Sequence, residues 1–264
     1  MSRPVAHKLF KYRSLATEED LKHTSEIFLK NEIWFSTPAS FNDPFDCQFV
    51  LKSDASLQEK MDFFREGLKH HHPQLPDREV EHQTKKMFGP SRRRELAAWE
   101  SLLLEQIRDI RNQIGVFCLT EANDDIVMWS HYADKHQGIC LEFAGSRREH
   151  VGFFARACKV NYQDSFPEVN PFVRARPGEK AQIMVFTKSN RWKYEREWRI
   201  GRAKGPGRES LPVGVLTSVI LGARISANNR QRVLQWVAAH PTPMAVLQAS
   251  SRLSEYGIKI KASG

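Results

Sequence analysis

The sequence predicts an α+β fold with a mixed or antiparallel sheet core and one helical insertion. Short runs of β-branched and aromatic residues, typical of strands, occur in the first 50 residues and again after residue 113. Between them, residues 52–112 carry apolar residues at helical spacing without strand alternation. A chain of 264 residues can form one large domain or two small ones, and we expect a single domain, residues 1–264, that contains this insertion.

The first predicted elements are a strand, a helix, a second strand and a turn. Alternating apolar positions at residues 7–14 predict the first strand, and Thr17 followed by three acidic residues predicts the start of a helix that runs to about residue 30. The second strand covers residues 32–37 and ends at Pro38. The six residues FNDPFD, 41–46, contain the Asn, Asp and Pro of a tight turn.

The remaining elements alternate between helices and strands. Within the insertion, apolar residues at helical spacing predict helices at 61–72 and 95–113. The later predictions are strands at 114–120, 138–143 and 157–162, a helical turn at 128–134, a helix or strand at 181–189, a strand at 195–200, a loop or hairpin at 201–214, a strand at 215–222, a helix at 226–240, and strands at 244–250 and 256–260.

Composition limits the classes of function. A hydrophobic fraction of 41% and an aromatic fraction of 10% are typical of a folded globular protein. No apolar run approaches the roughly 20 residues that span a bilayer, and the first residues lack a secretory signal, so we expect a cytoplasmic protein without a membrane partner. The net charge of +9 favours an anionic macromolecule as partner, with nucleic acid the expected class.

Three blocks combine aromatic with ionisable residues: FNDPFD (41–46), MWSHYADKHQG (128–138) and YEREWRI (194–200). Buried charge is costly unless it is paired, so these blocks predict a binding or catalytic site. In the first block, either Asn42 or Asp43 caps the turn, or Asp43 or Asp46 faces a pocket. In the second, His131 is a candidate general base, and its spacing from His136 does not suit a pair of metal ligands, so we expect no metal site.

The third block is the most informative of the three. In a strand, alternation places Glu195, Glu197 and Arg199 on one face, where the two carboxylates repel unless a cation, a donor or a ligand lies between them. They form either a structural ion ladder with a nearby cation, or a catalytic pair. The candidate cations are Arg191, Lys193 and Arg199.

Together the blocks resemble the bacterial family catalogued as domain of unknown function 2971. Members of that family share a KYRS-like start, an FSxPxxFNDPFD segment, an MWxHYAxxHxG segment and an ExEWR segment. The matching segments here are 11–14, 35–46, 128–138 and 195–199, in the same order. The family label implies no activity.

A more distant resemblance is to ADP-ribosyltransferases with an Arg, Ser-Thr, Glu-x-Glu pattern. Arg13, Ser36-Thr37 and Glu195-Arg196-Glu197 fit that order, although Pro38 stands where the pattern usually has a small polar residue. The resemblance implies a split sheet and NAD as a substrate. It implies catalytic roles for Glu197 and Glu195. Together with the three blocks, it makes His131 a further catalytic candidate, and the candidates for NAD binding are Arg13, Tyr12, Ser36, Thr37, Phe41, Asn42, Asp43, Asp46, Trp129 and Tyr132.

Within that resemblance the roles differ. Glu197 would stabilise the oxocarbenium ion that forms when nicotinamide leaves, and Glu195 would orient the acceptor. Arg13 would hold a phosphate or ribose of NAD, and Ser36 would position the catalytic glutamate. Phe41, Trp129 or Tyr132 would stack on nicotinamide; these last three are alternatives.

Three functions are consistent with the sequence. The favoured one is an NAD-dependent ADP-ribosyltransferase that modifies a nucleic acid or protein, as a toxin or phage-defence effector with an antitoxin or defence-system partner. The second is a metal-dependent nuclease that uses Asp43, Asp46, His131, Glu195 and Glu197. The third is a non-catalytic nucleic-acid-binding module that contacts phosphates through Arg92–Arg94 and the loop containing Lys204.

Overall fold

A computed structural model describes residues 8–144, 148–176 and 178–263. The strands are β1 (Lys8–Arg13), β2 (Glu32–Phe35), β3 (Val50–Leu51), β4 (Gly115–Thr120), β5 (Ile139–Ala144), β6 (Ala157–Lys159), β7 (Asn161–Gln163), β8 (Glu168–Val169), β9 (Thr187–Ser189), β10 (Glu197–Arg202), β11 (Gly207–Ser210), β12 (Leu216–Leu221), β13 (Ala245–Ser251) and β14 (Ile258–Ala262). The helices are α1 (Glu18–Leu29), α2 (Leu57–His71), α3 (Asp77–Met87), α4 (Arg93–Arg108), α5 (Ile110–Gln113), α6 (Ile126–Tyr132), α7 (Arg148–Arg156), α8 (Glu179–Val185) and α9 (Ala227–Ala239), with 3-10 helices at Pro38–Ser40, Pro90–Arg92 and Asn190–Glu195.

The α+β class is confirmed, and most predicted elements are present near their predicted positions. Helix α1 begins after Thr17, whose hydroxyl accepts a hydrogen bond from the Asp20 backbone while the Asp20 carboxylate accepts one from the Thr17 backbone. The predicted helix start at Thr17 is confirmed, and the two hydrogen bonds form a capping box. The segment 181–189, predicted as a helix or a strand, contains both, since α8 is followed directly by β9.

The chain divides into two compact units. Unit 1 comprises residues 1–40, 114–160 and 191–264, and unit 2 comprises residues 41–113 and 161–190. The predicted helical insertion, residues 52–112, lies within unit 2 and contains α2, α3 and α4.

Unit 1 is organised around an eight-stranded sheet with the order β14-β13-β12-β5-β1-β4-β10-β6. Neighbouring strands are antiparallel except β12 and β13, which are parallel. Strand β4 joins β1 to β10, because Thr120 lies opposite Phe10 on one side and opposite Glu197 on the other. Opposite residues in antiparallel strands point to the same face of a sheet, so this register fixes which side chains meet.

The two faces of the sheet pack against different helices. On one face, Leu9, Phe117 and Ile200 join a large apolar core with Phe28 of α1 and Val233 of α9. We call this the α1 face. On the other, Phe10, Tyr12 and Cys140 pack against Met128 and Trp129 of α6. We call this the α6 face.

An ion pair between a buried glutamate and a partly exposed arginine connects α1 to the two-stranded sheet formed by β2 and β11. The Glu26 carboxylate accepts hydrogen bonds from Arg208 Nη2 at 2.7 Å and Arg208 Nε at 3.1 Å. These bonds outweigh the effect of burial and lower the pKa of Glu26 to about 2.

Unit 2 is mainly helical and has its own aromatic cluster. Trp99 of α4 contacts Phe63 and Phe64 of α2, as well as Phe88 and Phe172. Two pairs of short parallel strands, β3 with β8 and β7 with β9, complete the unit.

Gly138, which follows α6, lies directly against the backbone of β1. Its amide donates to the Ala133 carbonyl at 2.8 Å, and a Cβ atom on residue 138 would lie 2.1 Å from the Arg13 carbonyl oxygen. No side chain fits at that distance without moving backbone. The glycine therefore fixes how closely the end of the second sequence block approaches β1.

We predict that Gly138→Ala lowers the free energy of unfolding by at least about 2 kcal/mol, because the added methyl group must displace β1 or the turn. The measurement is urea unfolding followed by circular dichroism. Gly152→Ala in α7 is the control: nothing lies within 4 Å of its added Cβ, and removing a helical glycine should stabilise by about 0.5–1 kcal/mol. Equal unfolding midpoints for the two variants would contradict the prediction.

Candidate functional site

Two side-chain contacts join the last turn of α6 to the 3-10 helix Asn190–Glu195. Tyr132 Oη donates to Glu195 Oε1 at 2.6 Å, and Tyr194 Oη lies 3.3 Å from His131 Nδ1. The Trp192 ring lies edge-on to His131, with centroids 6.3 Å apart. We call these five residues the α6 junction. They combine a carboxylate, an imidazole and three aromatic rings.

Helix α6 is fixed in place by a cap and by one buried ring. The Asp125 carboxylate accepts from the Val127 and Met128 backbone amides at 2.9 and 3.0 Å. Trp129 is fully buried, donates from Nε1 to the Asn123 carbonyl at 2.8 Å, and lies edge-on to Tyr12 at 5.1 Å. Trp129 and Tyr12, both predicted to bind NAD, therefore hold the helix on the sheet.

Glu197 and Arg199 form a buried pair on β10. Arg199 Nε donates to Glu197 Oε1 at 2.8 Å and Nη2 donates to Oε2 at 2.9 Å, and the Arg199 side chain has no exposed surface. Cys118 lies opposite Arg199 on β4. Burial, and then the nearby Glu197 carboxylate, raise the pKa of the Cys118 thiol well above its ordinary value. The predicted contact between Glu197 and the Arg199 cation is therefore present.

The prediction that Glu195 lies on the same strand as Glu197 was wrong. β10 begins at Glu197, and Glu195 is the last residue of the 3-10 helix. Arg196 between them has φ of +45°, a left-handed conformation that interrupts strand alternation, and Thr120 Oγ1 donates to the Glu195 carbonyl at 2.5 Å. Both carboxylates are buried, and each is bound by its own donor: Tyr132 for Glu195 and Arg199 for Glu197.

His131 is exposed, in contrast to the glutamates. Its ring is positioned by Tyr194 and Trp192 while the side chain stays at the surface. An exposed imidazole beside a buried carboxylate can exchange protons with a bound ligand.

The structure brings Ser36 to the face that carries Glu197. The Ser36 and Val116 backbones exchange hydrogen bonds of 3.1 and 2.8 Å. Val116, Cys118 and Thr120 are spaced two residues apart, so their side chains point to the same face of the sheet. Cys118 and Thr120 lie opposite Arg199 and Glu197. Ser36, which pairs with Val116, therefore shares the α6 face with them. Thr37 follows Ser36 and is half-buried, and its carbonyl accepts from the Ser40 hydroxyl at 2.8 Å.

Arg13 lies on the opposite face of the sheet from Glu197. It lies opposite Ile139, three residues from Phe10, and so belongs to the α1 face. Arg13 Nε donates to Thr24 Oγ1 of α1 at 3.1 Å, and burial lowers the pKa of its guanidinium. The sheet lies between Arg13 and the α6 junction, because strand parity places Phe10 and Arg13 on opposite faces.

The remaining predicted residues belong to unit 2. Asp43 is buried and its Oδ1 accepts from the Phe45 amide at 2.9 Å, which confirms the interpretation of a capped turn. Asp46 is also buried and lies 3.4 Å from Lys188 Nζ. In the same block Asn42 is exposed and Phe41 is half-buried.

Unit 2 also contains an open groove of about 1300 Å³. It is lined by Phe63 and Phe172 together with acidic and basic side chains of both signs, such as Glu66 and Lys69. None of the residues predicted from the sequence to form a site lines this groove.

The structure also locates the residues on which the two alternative functions, a nucleic-acid-binding module and a metal-dependent nuclease, depend. Arg92 ends a 3-10 helix and Arg93 begins α4, while Lys204 is exposed in the turn between β10 and β11. Within the ranges that the structure describes, no group of three or more His, Cys, Asp or Glu side chains could hold a metal ion. In the same ranges, no helix is both long and apolar enough to cross a bilayer.

Comparison with known proteins gives one match. Residues 128–200 match the family model described as protein of unknown function, DUF2971. This segment contains most of α6, the 3-10 helix Asn190–Glu195 and most of β10, and it supports the resemblance to that family. The resemblance to ADP-ribosyltransferases receives no such support. No curated protein and no solved structure is significantly similar to the chain.

Sequence reasoning missed Trp192, and it included Tyr194 only as the first residue of the third block, without a role. A signal was present, because the segment Arg191-Trp192-Lys193-Tyr194 alternates cations with aromatic rings. Such alternation is typical of surfaces that bind nucleotides through stacking and charge.

We predict that Arg199→Met lowers the free energy of unfolding by about 3 kcal/mol, because it removes both guanidinium hydrogen bonds from the buried Glu197 carboxylate. Adding Glu197→Gln to that variant should recover part of the loss, since the buried charge is then gone. Lys259→Met, which removes an exposed cation from β14, should change stability by less than about 0.5 kcal/mol. Urea unfolding of the wild type and the three variants measures these free energies. The prediction is contradicted if Arg199→Met loses no more stability than Lys259→Met.

Proposed function

We propose that the chain is an NAD-consuming enzyme that transfers ADP-ribose, with its active site on the α6 face around Glu195 and Glu197. The observation that supports this most directly is the arrangement of the two glutamates. Both are buried within three residues of each other, each is oriented by its own hydrogen-bond donor, and Ser36 lies on the same face. Oriented carboxylates in a low-dielectric site are suited to stabilising positive charge that develops during a reaction.

The reaction requires a carboxylate on one side of the NAD ribose. The bond between ribose C1′ and the nicotinamide nitrogen breaks, and its electron pair goes to the nicotinamide, which leaves neutral. The ribose then carries oxocarbenium character, which a fixed carboxylate stabilises. An acceptor oxygen or nitrogen attacks C1′ and gives up its proton to a base; water as acceptor yields free ADP-ribose.

The contacts suggest separate roles for the two glutamates. We assign Glu197 to the ribose, because its bidentate partner Arg199 keeps the carboxylate plane fixed. We assign Glu195 to the acceptor, because it is adjacent to the exposed end of the site, where Tyr132 and His131 lie. His131 would then pass the acceptor proton to solvent.

Arg13 has no part in this proposal, because it belongs to the α1 face. We place the nicotinamide end of NAD beside the Glu197 carboxylate, because that carboxylate must reach C1′ of the ribose.

We predict that Glu197→Gln reduces nicotinamide release from NAD by at least about 100-fold, because a neutral amide cannot stabilise the oxocarbenium ion. Glu195→Gln should suppress transfer to an acceptor more than hydrolysis, and Tyr132→Phe should reduce transfer by about 10-fold through loss of orientation. Nicotinamide is quantified by chromatography, with cell extract as the source of acceptors.

Glu255→Gln is the matched control, because Glu255 is an exposed glutamate of unit 1 in the loop between β13 and β14. It should leave turnover unchanged, and circular dichroism should show every variant folded. If the wild-type protein releases no nicotinamide with any extract, or if folded Glu197→Gln is fully active, the proposal is wrong.

A further inference from the structure

The net positive charge of the protein comes from one of its two units. Unit 1 contains 24 Lys and Arg against 15 Asp and Glu, whereas unit 2 contains 16 of each. Within unit 1, the segment 191–264 alone has 13 basic and 4 acidic residues. The net charge of +9 is therefore a property of this segment, which also contributes Trp192, Tyr194 and Glu195 to the α6 junction.

The cations at the start of this segment are exposed. Arg191, Lys193 and Arg196 are all at the surface, while Trp192 and Tyr194 between them are half-buried. The 3-10 helix ends at Glu195, and the left-handed Arg196 turns the chain into β10, so the Glu195 carboxylate points inward while the Arg196 side chain stays outside. Three cations and two rings thus lie within a few residues of the buried carboxylates, and the exposed His131 imidazole lies 3.3 Å from Tyr194 Oη.

We propose that this strip, residues 191–196 together with His131, binds single-stranded nucleic acid, which is the acceptor of the transfer proposed above. The acceptor role rests on the proposed function, whereas the binding rests on the charge and the rings of the strip. The cations contact phosphates, and the rings of Trp192 and Tyr194 stack on bases. A duplex does not suit the strip, because its bases are already stacked on each other and cannot reach the two rings.

The strip also places an acceptor atom at the catalytic groups. Tyr194 is adjacent to Glu195 in the chain and contacts His131, so a base stacked on Tyr194 lies beside the carboxylate that we assign to the acceptor. A nitrogen or oxygen of that nucleobase attacks C1′ of the NAD ribose, and nicotinamide leaves with the electron pair of the broken bond. The attacking atom of the nucleobase then gives its proton to Glu195. The product is an ADP-ribosylated base and free nicotinamide.

The first test is binding without NAD, measured by fluorescence anisotropy with a labelled mixed-sequence 20-nucleotide DNA or RNA strand and with the matching duplex. We expect the single strand to bind at least 10-fold more tightly than the duplex. Lys193→Gln combined with Arg196→Gln should weaken binding by about 10-fold or more. It should also make affinity less sensitive to salt. The negative slope of log affinity against log salt should shrink in magnitude by about 1.4, which corresponds to the loss of two phosphate contacts on a single strand.

The control removes the same charge elsewhere in unit 1. Lys259→Gln combined with Lys261→Gln takes two exposed cations from β14, and should leave affinity within about 2-fold. Trp192→Ala should weaken binding by about 5- to 150-fold, and Trp192→Phe should retain most of it, since a ring face remains. Three results would overturn the proposal. The two double variants could weaken binding equally, the duplex could bind as tightly as the single strand, or folded Trp192→Ala could bind as tightly as the wild type.

The second test separates the acceptor from the proposed function. Wild-type protein, the oligonucleotide and NAD labelled in the adenosine moiety are incubated, and label on the oligonucleotide is measured alongside nicotinamide. The acceptor role predicts that wild-type protein labels the single strand. It also predicts that the Lys193→Gln, Arg196→Gln double variant loses this labelling but still hydrolyses NAD to ADP-ribose. Nicotinamide release without label on the strand would overturn that role and leave the proposed function intact.

Discussion

The Arg199–Glu197 pair on β10 is the interaction on which the rest of unit 1 depends. The arginine has no exposed surface and sits in the second strand from one edge of the sheet, so its charge must be met inside the protein. By binding both oxygens of Glu197, it fixes the side chain at the point where the strand begins. The left-handed turn at Arg196 then delivers Glu195 to Tyr132, and so brings the 3-10 helix to α6.

This arrangement accounts for the density of aromatic and ionisable residues in two of the sequence blocks. The block at 128–138 supplies a buried anchor, Trp129, and two surface groups, His131 and Tyr132, while the block at 194–200 supplies the carboxylates and their cation. Buried anchors and surface groups thus lie close together in the chain. That pattern distinguishes the site from an ordinary core, in which neighbouring polar groups would be excluded rather than bound.

Local signals predicted the fold well and the site less completely. Caps such as Thr17 and apolar periodicity fixed the positions of helices and strands, because those signals act within a few residues. The faces of the sheet depend on pairing between distant strands, so the sequence could not reveal that Arg13 lies on the opposite face from Glu197. The left-handed conformation of Arg196 was equally hidden, since a non-glycine residue gives little local indication of it.

The most direct test of an active site on the α6 face is to locate bound NAD on the chain. Wild-type protein is irradiated with ultraviolet light in the presence of NAD labelled in the nicotinamide ring, and labelled peptides are identified by mass spectrometry. We expect label within residues 190–202, and its loss in Glu197→Gln. Label confined to other segments of the chain, or an absence of label when NAD is being consumed, would contradict the claim that the α6 face is the active site.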